Sequence, residues 1–87
     1  MKPFQEDITD GCRIRRFSRD IDERELKWHW DEKDRRVTPM AANDWMFQFD
    51  NELPFLIKEE INIPAGKIHR IIRGTVDLVV KIEEQKS

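Results

Sequence analysis

From Leu26 onward, apolar residues recur at every second position. Leu26, Trp28 and Trp30 alternate with Lys27, His29 and Asp31, and Trp45, Phe47 and Phe49 alternate with Met46, Gln48 and Asp50. Near the end, Leu78, Val80 and Ile82 alternate with Val79 and Lys81. Period two is the spacing of a strand with one buried face. Turn signals punctuate the pattern. Glu32-Lys33-Asp34 reads as a tight turn from which residues 35–38 return, so residues 26–38 predict a β-hairpin. Asp50-Asn51-Glu52 and Lys58-Glu59-Glu60 flank a short strand over 53–57, where Pro54 fits a strand start or sheet edge. Ile61 and Ile63 lead into Pro64-Ala65-Gly66, an extended run follows over 67–73, and Gly74 ends it. About seven short strands result, with turns every 8–12 residues or so, a rhythm that predicts an all-β sandwich or barrel. The expected core is Phe47, Phe49, Phe55, Ile61, Ile63, Ile71, Leu78, Val80 and Ile82.

The first 25 residues are harder to read. Ile14 and Phe17 lie in a run, CRIRRF, that suits a strand or an arm. Asp20 and Glu23 have capping-box spacing, but no 3.6-residue apolar stripe follows them, so a helix there has little support. The chain is therefore divided into an N-terminal arm or first strands (1–25), a β core (26–83) and a tail (84–87) expected to fray.

Composition narrows the picture. With 87 residues there is room for one domain. A chain of this size buries only about 64% of its unfolded surface, so a partner chain would help to complete the core. Charged residues make up 39% of the chain, yet 16 basic against 18 acidic side chains leave a net charge of −2. That balance favours a salt-bridged surface over a nucleic-acid binder, despite the basic run Arg13, Arg15, Arg16 and Arg19. One cysteine, Cys12, excludes an internal disulfide, and the opening MKPFQEDITDGC carries no apolar targeting segment. A cytoplasmic protein with no membrane span is the expectation. Three glycines, at 11, 66 and 74, cannot build a Gly-rich phosphate cradle.

The candidate chemistry lies with the two histidines. In a strand His29 and Asp31 point to the same face, close enough together to share one metal ion. His69, after the Pro64-Ala65-Gly66 turn, would complete a two-histidine, one-carboxylate set suited to Fe(II), Mn(II) or Zn(II). The alternation is also compatible with the opposite arrangement, in which Leu26, Trp28 and Trp30 face inward and His29 and Asp31 face solvent.

The run IxIPAGKIH resembles the second motif of the cupin superfamily, Gly-x5-Pro-x-Gly-x2-His-x3-Asn, with Pro64, Gly66 and His69 matching. Lys58 stands at its first Gly and Arg73 at its Asn. The first cupin motif, His-x-His-x(3,4)-Glu, is met by His29, with Asp31 at its second His and Arg35 or Arg36 where the Glu is expected. The resemblance covers roughly residues 26–83 and implies a small cupin-like barrel, of double-stranded β-helix or jelly-roll type, with about seven or eight strands. By that resemblance His29 and Asp31 point inward to meet His69 as metal ligands. Lys27 enters on the same face. Trp28 and Trp30 lie outside as an interface, for which a homodimer is the expectation. Lys27, and Gln48 if it faces inward, would orient a small polar or anionic ligand. The implied function is a small-ligand or metal-binding domain, with enzymatic activity left open. The alternative is a non-enzymatic interaction protein assembling through the Trp28/Trp30 face.

Overall fold

The computed structural model describes residues 4–84. Among them are eight strands: β1 (Gln5–Thr9), β2 (Cys12–Phe17), β3 (Arg35–Pro39), β4 (Met46–Phe49), β5 (Phe55–Leu56), β6 (Ile61–Ile63), β7 (His69–Ile72) and β8 (Leu78–Glu84). A single 3-10 turn spans Glu23–Glu25. The strands form two antiparallel sheets, ordered β1-β2-β8-β3-β6 and β5-β4-β7. Among the described residues no ladder joins the two sheets into a closed barrel, so the architecture is an open, two-sheet version of the expected one. Among the described residues no helix is long and apolar enough to cross a membrane.

Each sheet is built on the predicted alternation. On β8, Leu78, Val80 and Ile82 are buried while Val79 and Lys81 are only partly so. Phe47 and Phe49 on β4 and Ile61 and Ile63 on β6 complete this pattern. These seven pack with Phe17, Val37, Trp45 and Ile57 into one core. Phe55, expected in the core, is instead 39% exposed, because β5 is a two-residue strand at the edge of the smaller sheet. Ile71 is half-buried against the core. Trp45 is fully buried, and its indole N–H donates to the Val76 carbonyl.

The N-terminal segment forms two strands. Asp10 and Gly11 have φ of 45° and 79°, the paired positive values of a two-residue hairpin turn whose twist suits its flanking strands. β2 then pairs with β8 along its whole length, which places Phe17 opposite Leu78. Three of the four arginines of the basic run are paired here: Arg13 with Glu84, Arg15 with Glu6 and Arg16 with Asp77. Glu84, placed in the tail on sequence, is the last residue of β8, and residues 85–87 of that tail lie outside the described residues.

The expected hairpin over residues 26–38 does not form. β3 pairs with β6 and β8, and residues 26–34 run irregularly, touching β7 through one bridge between His29 and His69. Two carbonyls of this segment find partners outside a ladder. The Lys27 carbonyl accepts from the His29 ring and the Asp31 carbonyl accepts from Gly66 N–H, so no regular strand is required to satisfy them.

Candidate metal and ligand site

The site begins with the turn Pro64–Lys67. Lys67 N–H donates to the Pro64 carbonyl at 3.2 Å, and Gly66 sits at φ 78°, a left-handed conformation that glycine adopts without strain. Two bonds clamp this turn to the irregular segment. Gly66 N–H donates to the Asp31 carbonyl at 2.8 Å, and Ala65 N–H donates to the Asp34 carboxylate at 2.7 Å. His29 and His69 then exchange a reciprocal pair of backbone bonds at 3.0 and 2.9 Å. Directly opposed residues present their side chains on one face, and the two imidazole rings meet edge to face with centroids 4.4 Å apart.

Both rings are held in the same way. His29 Nδ1 lies 3.0 Å from the Lys27 carbonyl and His69 Nδ1 lies 2.8 Å from the Lys67 carbonyl. A carbonyl oxygen only accepts, so in the neutral rings the hydrogen is assigned to Nδ1 and the lone pair to Nε2. This is the outer-shell pattern that orients metal-ligating histidines. His69 is buried, stacks on Phe47 with ring centroids 5.4 Å apart and meets Phe49 at its edge. Burial is the main cause that pushes its imidazole below the ordinary histidine range. The Lys67 carbonyl and Asp31 oppose that shift, while His29 and Arg35 reinforce it.

Asp31 closes the constellation. One ligand atom each from His29, Asp31 and His69 lies within 4.8 Å of the others. Asp31 Oδ2 is buried with no hydrogen-bond partner and lies 3.4 Å from His69 Nε2. Two ligands of one ion with bonds of about 2.1 Å lie at roughly such a separation. A neutral imidazole lone pair facing an unpartnered carboxylate oxygen is an arrangement that a cation relieves, so these residues fit a divalent metal.

The three side chains stand on the wall of a cavity of about 400 Å³. Its floor is apolar, formed by Val37, Phe47, Ile57, Leu78 and Val80 among others. Lys27 also lines it, as expected on sequence. Gln48 does not. It lies on the other face of β4, donating to the Glu52 carbonyl and accepting from Arg70 Nε, because the strand alternates and Phe47 and Phe49 take the inward positions. Trp28 and Trp30 are outside, 42% and 57% exposed, and the Arg70 guanidinium lies 4.4 Å from the centroid of the Trp28 ring. The residue that sequence reasoning left without a role is Arg35. It lines the cavity and its Nη1 lies 3.3 Å from Asp31 Oδ1. The signal was present in its spacing, four residues after Asp31 and near the motif position where a carboxylate was expected.

No protein-family model matches the sequence, and no curated protein matches it. Solved structures do. A cupin domain from Bordetella pertussis Tohama I superposes over 95% of this chain and 92% of its own, with a TM-score of 0.63 and 18% identity. The chain has a cupin-like fold. A protein proposed as a mannose-6-phosphate isomerase, from Ralstonia eutropha JMP134, matches over 95% of this chain and 83% of its own, at TM-score 0.62 and 17% identity. A DMSP lyase matches over 91% of this chain at TM-score 0.71 and 13% identity. This chain spans only 40% of that lyase. His29 and Asp31 both line the cavity, His29 exposed at its rim and Asp31 half-buried, while Trp28 and Trp30 are exposed and Leu26 packs against the core.

Proposed function

We propose that this chain is a metal-holding, small-ligand-binding domain in which His29, Asp31 and His69 hold one divalent ion, Fe(II), Mn(II) or Zn(II). The observation that carries the reading is the buried Asp31 Oδ2, without a hydrogen bond and 3.4 Å from the His69 nitrogen that its ring anchor leaves free. Three protein ligands leave coordination positions open toward the cavity, a requirement shared by ligand-binding and catalytic metal sites. Lys27, on the cavity wall, would help to position a polar group of the ligand. Untagged protein should carry, or take up, about one equivalent of metal. His69→Ala and Asp31→Ala should each lower that affinity at least tenfold. Uptake that is absent, or equal in the wild type and both variants, overturns the reading.

A homodimer through the Trp28/Trp30 face is compatible with this function. Two adjacent exposed indoles are the residue type enriched at interface hot spots. Sedimentation should show a dimer that Trp28→Ala and Trp30→Ala dissociate, and a wild-type monomer at high concentration would remove the pairing.

A further inference from the structure

We propose that the ligand of this cavity is a small organic carboxylate with an apolar body, anchored by Arg35. The inference deepens the metal reading and rests on it in two respects: a metal ion would draw Asp31 away from Arg35, and its charge would leave the cavity wall in need of an anion.

Three observations converge on this class. The first is Arg35 itself. Its side chain is only 15% exposed, its Nη1 contacts Asp31 at 3.3 Å, and its Nε is buried with no acceptor. A guanidinium offers a fork of donors that matches a carboxylate. Here one arm is engaged and a buried donor next to it is left over, a costly state that an incoming oxygen repairs. The second is the charge on the wall. Arg15 is already neutralised by Glu6, leaving Lys27 and Arg35 against Glu25 and Asp31. The wall is balanced without an ion. A divalent ion on His29, Asp31 and His69 leaves it with two positive charges in excess, and an anion restores neutrality. The third is the floor. Val37, Phe47, Ile57, Leu78 and Val80 offer no polar side chain, so the remainder of the ligand must be apolar to gain from burial there. A cavity of about 400 Å³ lies within the ordinary range for small-molecule sites. The carboxylate would therefore lie between the ion and Arg35, with the hydrocarbon pointing to the floor. A fully hydroxylated sugar suits this cavity poorly, because its hydroxyls would meet a floor with no side-chain partner.

Hexanoate, hexanamide and hexylamine are matched probes that differ in charge at one end. Their binding can be followed by calorimetry on Zn(II)-loaded and on EDTA-treated protein. In the loaded protein hexanoate should bind at least tenfold more tightly than hexanamide, and hexylamine should be the weakest. In the EDTA-treated protein the same order should persist with a smaller preference, since Arg35 then still shares Asp31. Arg35→Gln should abolish the preference for hexanoate in the EDTA-treated protein and cut it at least fivefold in the loaded one, while Zn(II) uptake persists. Arg35→Lys, which keeps the charge and loses the fork, should retain part of the preference, and its Zn(II) uptake reports that the domain is folded. If Zn(II) binds but hexanoate is no better than hexanamide, or Arg35→Gln leaves the preference intact, the carboxylate proposal is overturned and the metal reading stands. If no metal binds, the metal reading falls, and the EDTA-treated arm alone decides whether Arg35 selects a carboxylate.

Discussion

Gly74 shows how a single missing side chain can be required by packing and not by conformation. A Cβ placed there would lie 2.3 Å from Asp44 Oδ1 and 2.8 Å from Trp45 Cδ1. Trp45 is fully buried and cannot retreat, and the Asp44 carboxylate is committed to Thr75, accepting from its N–H at 2.8 Å and from its hydroxyl. Gly74→Ala should therefore destabilise the domain by about 1–3 kcal/mol in urea denaturation, the usual range for overpacking. The same turn gives a pH signature. The Thr75 bonds hold the Asp44 carboxyl below its usual value of 3.8. A lowered folded value means the contribution is complete above the ordinary carboxylate range and is lost as pH falls through the folded value. Asp44→Asn should flatten the stability profile below about pH 4 and leave the neutral region nearly parallel to the wild type. Trp45 also shows a limit of sequence reading. Its place in the alternation with Phe47 and Phe49 was legible, but its complete burial depends on a polar tip that finds the Val76 carbonyl 31 residues away. Arg35 is the same case with more consequence: its role depends on Asp31 being turned into the cavity.

At the scale of elements, two turns use positive φ for different ends. Gly11 closes the β1–β2 hairpin and Gly66 delivers His69 to the site, and neither would have anything within 4 Å of an added Cβ. Alanine at either position pays only for the left-handed backbone, about 1–2 kcal/mol. Gly11→Ala and Gly66→Ala should thus lower stability by similar amounts. Only Gly66→Ala should also weaken metal binding, by several-fold, because relief of the left-handed strain would shift the main-chain N–H that holds the Asp31 backbone and the turn that sets the His69 register. Equal metal affinity in the two variants would separate the turn from the site. These elements also show what was readable. β4, β6 and β8 were visible because each buries one face against a continuous core, which imposes period two on composition. The Pro64–Lys67 turn was visible because proline and glycine act locally. β1 was not, since its outward side chains are charged or exposed and only its Asp10-Gly11 turn marks it. Residues 26–31 misled in the other direction. From Trp28 to Asp31 the alternation holds, with Trp28 and Trp30 outside and His29 and Asp31 lining the cavity, but a single bridge to His69 and contacts with a turn hold it in place of a strand ladder.

For the molecule as a whole, the small core is the controlling fact. Among the described residues eleven apolar side chains are buried, eight of them line the cavity, and the wall of that cavity carries an unpartnered carboxylate oxygen and an unpartnered guanidinium nitrogen. A domain of this size has little stability in reserve, so occupancy of the site should register globally and not merely locally. A ligand present at about 100 times its dissociation constant adds roughly 2.7 kcal/mol to the folded state. For a chain of 60–100 residues each kcal/mol moves the melting midpoint by about 4–8 °C. Saturating Zn(II) or Mn(II) should therefore raise the Tm of the wild type by roughly 10–20 °C, and EDTA should return it to the starting value. The rise should be lost in His69→Ala, which cannot complete the ligand set. It should survive in Arg35→Gln, because that variant leaves His29, Asp31 and His69 in place and removes a competing cation from Asp31. A metal-induced rise of equal size in His69→Ala would locate the ion elsewhere on the acidic surface, and a rise lost in Arg35→Gln with the fold intact would mean that Arg35 holds Asp31 in position for the metal and does not compete with it.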